Sequence, residues 1–159
     1  MPPLFLSSTM KLEQAIKQEN FRSPTHKAMV NLIYTSNWAA QLQVKFLKPF
    51  SLTSQQFNIL RILRGQYPAP VNIKVIRERM LDKMSDASRI VEKLRLKGML
   101  ERSICSKDRR SVDVVITQKG LDLLQKIDKR EQEVDLLFHS LSDDELNQLN
   151  HLLDKLRDD

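Results

Sequence analysis

The sequence predicts a mostly α-helical chain with one small β-hairpin, and three observations predict it. Apolar residues recur at steps of three and four along most of the 159 residues, which is the period of helices buried on one side. The period changes to strict alternation only between Leu100 and Ile116, as expected of two short strands. Side chains able to cap a helix stand immediately before the helical stretches at Ser23, Thr53, Thr117 and Ser142.

Leu12, Ala15, Ile16 and Glu19 suggest a short lead-in helix within 11–20. Ser23 followed by Pro24 reads as an N-cap with proline in the first turn, opening a long helix to about Phe46. Its apolar set, including Met29, Leu32, Ile33, Ala40, Val44 and Leu47, is broad enough to touch more than one neighbour. Tyr34 and Trp38, four apart, are either packing residues or the lining of a ligand pocket.

Pro49 ends this helix, and Thr53 with Gln56 forms a capping box for the next, with Leu52 stapling to Phe57. Phe57, Leu60, Ile62 and Leu63 continue its buried stripe to Gly65, and GQYPAP is a loop by composition. Ile73, Val75, Ile76, Met80 and Leu81 predict a helix of about two turns. Asp82 is then placed to cap a helix whose buried face is Met84, Ala87, Ile90, Val91 and Leu94. The other face of that helix carries Ser85, Arg89, Glu92 and Lys93, flanked by Asp86 and Ser88: short hydrogen-bonding groups and charge, suited to base edges and phosphates. Two short helices joined by a tight turn, the second polar on its outer face, constitute a helix-turn-helix.

Gly98 closes that helix. Leu100 and Ile104 then face one way, and Val112, Val114 and Ile116 alternate on the return. The hairpin tip concentrates Lys107, Arg109 and Arg110, offset by Asp108. Arginine suits the negative potential of a narrow minor groove. Thr117 caps a long helix carrying Leu121, Leu124, Ile127, Val134, Leu137 and Phe138. Ser142 and Glu145 box a final helix with Leu146, Leu149, Leu153 and Leu156 in a heptad-like seam that needs a partner helix from this chain or a second copy.

Charge narrows the function. The chain carries 26 Lys and Arg against 20 Asp and Glu, a net charge of +6, yet the stretch from Ser51 to Ile116 holds 14 of the cations and only 7 of the acids. The whole excess lies around the polar helix and the hairpin, as in a polyanion-binding module between neutral assembly helices. One cysteine excludes an internal disulfide, no apolar run is long enough to span a membrane, and the opening MPPLFLSST lacks the basic start of a signal peptide. A cytoplasmic protein with no membrane partner is expected. Enzyme function is not: there is no Gly-rich phosphate loop and no GxSxG, and His26, His139 and His151 are too scattered for a metal. No cofactor is expected.

LTSQQFNILRIL, MSDASRIVEKLRLKGML and CSKDRRSVDVVITQKG, in that order and at these separations, resemble the MarR-type winged helix-turn-helix transcriptional regulators, with similarity from about Ser23 to the C-terminus. The resemblance implies N-terminal helices over 1–48 serving dimerisation and an effector cleft, a winged helix-turn-helix DNA-binding region over 49–117, and C-terminal dimerisation helices over 118–159. It implies a homodimer on a pseudo-palindromic DNA operator, acting as a repressor released by a small anionic or phenolic effector. Matched by position, Ser85, Asp86, Ser88 and Arg89 meet the major groove, and Arg110, with Lys107 and Arg109 beside it, serves the wing that Asp108 orients. Tyr34 and Trp38 are the effector-contact candidates, and Leu146, Leu149, Leu153 and Leu156 the dimer seam. Cys105, on the wing strand, is away from the N-terminal position where one subfamily carries a reactive thiol. A winged-helix module that binds an acidic protein partner is the alternative from another functional class.

Overall fold

A computed structural model describes residues 10–104 and 112–158. The chain divides into two compact units, Met1–Lys45 and Phe46–Asp159. In the first, α1 (Leu12–Ile16) stops at Lys17, which takes a left-handed backbone, so the lead-in helix is shorter than the apolar spacing suggested. An ion pair between Glu13 and Lys27 ties α1 to α2 (Pro24–Leu47). The Ser23 hydroxyl accepts the amide hydrogen of His26 at 3.1 Å, the expected cap. Within this unit Met29, Ile33, Tyr34, Trp38 and Val44 are all exposed.

The second unit holds the core. Lys48–Phe50 form a single 3-10 turn at the proline, after which α3 (Ser54–Arg64) opens on the Thr53–Gln56 capping box. Its buried apolar residues are Ile59, Leu60, Ile62 and Leu63. The loop that follows ends in β1 (Val71–Asn72), a two-residue strand too short to show an alternation in sequence. Asn72 then caps α4 (Ile73–Arg79), and α5 runs from Ala87 to Leu96. Only Ile76 of α4 and the following Met80 are fully enclosed; Val75 and Leu81 are exposed.

The end of α5 shows why Gly98 is glycine. Its φ is +70°, a conformation costly for a side chain with a Cβ. This lets Gly98 N–H reach the Arg95 carbonyl at 2.8 Å and Met99 N–H reach that of Leu94 at 3.0 Å, the paired bonds of a Schellman stop. The chain thereby turns into β2 (Leu100–Ile104), which pairs antiparallel with β3 (Val112–Ile116) from Leu100↔Ile116 to Ile104↔Val112. β3 is central, because β1 adds to its other edge through Val71↔Val114. Leu100, Val114 and Ile116 are buried as alternation requires, but Ile104 is 72% exposed. The inner face of β2 leaves the core after one residue.

Thr117 caps α6 (Gln118–Asp128), accepting from Gly120 N–H. The sequence suggested a helix continuous to Phe138; instead it breaks after Asp128 and resumes as α7 (Gln132–Asp135) and a 3-10 turn. No apolar side chain follows Ile127 until Val134, so nothing draws a continuing helix onto the core. Arg64 of α3 instead holds Asp128 at 2.6 Å and Arg61 holds Glu131 at 2.5 Å. Finally α8 (Asp143–Leu156) starts on the Ser142–Glu145 capping box and has no fully buried residue.

Candidate nucleic-acid interface

The polar helix is built one residue pair at a time. Asp82 does not cap it. Its carboxylate accepts from Met84 N–H at 3.0 Å and from the Ser85 hydroxyl at 2.5 Å, closing a turn on itself. These bonds hold its carboxyl below the ordinary range. Asp86 is the cap, accepting from Arg89 N–H at 3.1 Å. The helix therefore starts at Ala87, four residues after the Lys83 that a cap at Asp82 implied, and Met84 stands 94% exposed rather than on the buried face. Ser85 and Asp86 lie in the turn before α5, and Ser88 and Arg89 lie in its first turn, both exposed.

Ala87, Val91 and Leu94 bury one side of α5 against the core. At its far end, Lys97 donates to the Ser51 carbonyl at 2.6 Å and to Gln56 Oε1 at 3.2 Å. Gln56 is the buried polar residue of the core, and its Oε1 also accepts from Thr53 N–H. The capping box of α3 thus doubles as the anchor for the end of α5.

Glu92, expected to be part of the free polar face, is engaged within the fold. Arg95 grips both its oxygens at 2.8 to 3.2 Å, and Arg102 of β2 donates to Oε2 at 2.8 Å. Arg95 first, and Arg102 after it, hold this carboxyl down at about 2 against an ordinary 4.5. The only acid inside α5 is thereby neutralised, leaving Ser88, Arg89 and Lys93 on its outer face. Arg102 carried no signal in sequence, since it stands between Leu100 and Ile104 on the strand face where an apolar residue is expected.

Of the other predicted residues, Lys107, Asp108, Arg109 and Arg110 lie outside the described residues, as does Cys105. Tyr34 and Trp38 are 44% and 40% exposed on α2; a concavity of about 450 Å³ on the same helix is lined by Asn37, Ala40, Gln41, Val44 and Lys45 and includes neither. Leu146 and Leu153 of α8 are half-buried, whereas Leu149 and Leu156 are exposed. Among the described residues no group of three or more His, Cys, Asp or Glu could hold a metal ion, and no helix is long and apolar enough to cross a membrane.

Comparison with known proteins agrees with this arrangement. The MarR family model matches residues 52–112. The chain is 31% identical over 113 residues to the HTH-type transcriptional regulator MgrA of Staphylococcus aureus, covering 70% of this chain and 74% of that protein. Its fold resembles that of a mutant MarR from E. coli complexed with operator DNA, with TM-score 0.72 and 22% identity over 94% of this chain and 100% of that one. It also resembles Bordetella bronchiseptica BpsR, solved in a study of the regulation of its DNA binding by 6-hydroxynicotinic acid, with TM-score 0.63 and 24% identity over 80% of this chain and 99% of that one. A helix-turn-helix packed on a three-stranded sheet, a cationic outer helix face and this set of relatives lead to one assignment: the chain belongs to the MarR family of winged helix-turn-helix, DNA-binding transcriptional regulators.

Proposed function

We propose that the chain is a homodimeric, sequence-specific repressor that binds a pseudo-palindromic operator and is released by a small anionic or phenolic effector. The observation that carries this reading is the first turn of α5: Ser88 and Arg89 are exposed on a helix fixed at its start by Asp86 and at its end by Lys97. A rigid helix presenting a guanidinium and a hydroxyl is what reading of base edges in the major groove requires, arginine pairing bidentately with guanine. Ser85 and Asp86 enter the groove edge from the preceding turn, Asp86 mainly by setting the helix start. Lys107, Arg109 and Arg110, oriented by Asp108, serve the adjacent minor groove and backbone.

Two copies are needed because a single helix reads only a half-site. Leu146, Leu149, Leu153 and Leu156 on α8, together with the exposed apolar side chains of α2, supply the pairing surfaces, with 1–48 and 118–159 as the assembly regions and 49–117 as the DNA-binding region. Symmetric modules address half-sites about 34 Å apart. The effector reading is supported by the exposed Tyr34 and Trp38, whose rings suit an aromatic acid, and by the 6-hydroxynicotinic acid response of BpsR.

The test is selection of bound duplexes from a random DNA pool, repeated with aromatic carboxylates. Enrichment of an inverted repeat, lost in the presence of one such acid, is the expected result. Recovery of no common sequence would overturn the reading.

A further inference from the structure

Met84 is the most exposed large apolar side chain among the described residues, at 94%. A lone exposed methionine on a loose loop calls for no explanation, but this one sits on a fixed turn. The Asp82 carboxylate accepts from Met84 N–H at 3.0 Å and from the Ser85 hydroxyl at 2.5 Å, and Asn58 of α3 accepts from Leu81 N–H at 2.9 Å. The backbone from Leu81 to Ser85 is thereby pinned to itself and to α3. With Ser85, Ala87 and Ser88, Met84 lines an open concavity of about 600 Å³. It therefore stands on the same surface as the first turn of α5, just ahead of the cap Asp86. That surface belongs to the stretch from Ser51 to Ile116, with its 14 cations against 7 acids.

We propose that Met84 is a specificity-determining residue that packs against the C5-methyl group of a thymine in the major groove entered by α5. This rests on the reading in which the first turn of α5 faces the bases. The cations around Met84 favour a polyanion as the partner, yet a thioether gains nothing from phosphates. On the base edges of the major groove the apolar group open to such a side chain is the thymine methyl. Methionine is long, unbranched and polarisable, so it fills the space over a methyl without demanding one geometry. Its contribution is a preference for thymine over cytosine at one position of each half-site, made without charge.

The experiment replaces each thymine of the selected operator in turn by deoxyuridine, which lacks only the methyl group, and measures binding of the full chain and of its Met84→Ala variant. In the wild type, loss of the methyl at one position of the half-site should weaken binding about fourfold, the worth of roughly one buried carbon. Met84→Ala should bind the unmodified operator about fourfold more weakly and lose nothing further at that position. Met84→Leu, which keeps the apolar bulk, should restore the response to deoxyuridine. Both variants should keep the wild-type salt slope, because no cation has been removed. No thymine position that distinguishes wild type from Met84→Ala, a loss of equal size on a scrambled duplex, or a lowered salt slope would overturn the proposal. Arg89→Ala separates the two levels. If it abolishes operator preference while Met84→Ala behaves as wild type, the methionine assignment is wrong and the α5 reading stands; if it too is without effect, the α5 reading fails.

Discussion

Glu92 of α5 and Arg102 of β2 are joined at 2.8 Å, with Arg95 completing a bidentate grip on the same carboxylate. The helix that presents Arg89 and the strand that leads to the hairpin tip are thus held by one ionised group. Because its folded pKa is depressed, its stabilisation is present above the ordinary 4.5 and is lost as pH falls toward about 2. Urea midpoints of the wild type should exceed those of Glu92→Gln by a constant amount above pH 5, and the two should converge between pH 4.5 and 2. A gap that persisted at pH 2 would show that the ion pair is not its source.

Gln56→Ala should destabilise the second unit by about 1–2 kcal/mol, because it strips Thr53 N–H and Lys97 of a buried acceptor. Denaturant unfolding followed by circular dichroism measures this. Gln56→Glu retains the acceptor oxygens and should recover part of the loss.

Gly120→Ala reverses the usual helix ranking. Alanine gains about 1 kcal/mol of propensity over glycine, but its Cβ would meet the Met99 carbonyl oxygen at 2.5 Å and Ile116 Cγ1 at 2.7 Å. Overpacking of this kind costs about 1–3 kcal/mol, so a net loss of stability is expected. A neutral or stabilising result in urea unfolding would mean that α6 can move off β3.

Leu149→Glu combined with Leu156→Glu places charge on the exposed apolar side of α8 without touching a fully buried position. Sedimentation should show a dimer in the wild type and a monomer in the variant, with the far-ultraviolet helix signal retained. A dimer that survives both changes would move the pairing surface elsewhere.

The elements legible in sequence were those decided by neighbours within a turn. The boxes at Thr53–Gln56 and Ser142–Glu145 and the caps at Ser23 and Thr117 each depend on a side chain and an amide three residues away. Strand alternation marked the two strands of the hairpin, Leu100–Ile104 and Val112–Ile116. What escaped was decided at a distance. β1 exists because Val71 pairs with Val114, and α6 ends where Arg61 and Arg64 reach it from α3. Asp82, the cap expected from sequence, is engaged by the Ser85 hydroxyl in a local turn, so that Asp86 caps the helix and its start shifts to Ala87.

The central claim is that the first turn of α5 reads bases, and Arg89→Ala tests it most directly. Binding is measured to the selected operator and to a scrambled duplex at one salt concentration. The account predicts a loss of about 1–3 kcal/mol on the operator, with scrambled-duplex binding little changed, so that discrimination falls by roughly ten- to a hundredfold. An Arg89→Ala protein that kept the wild-type ratio between the two duplexes would contradict it.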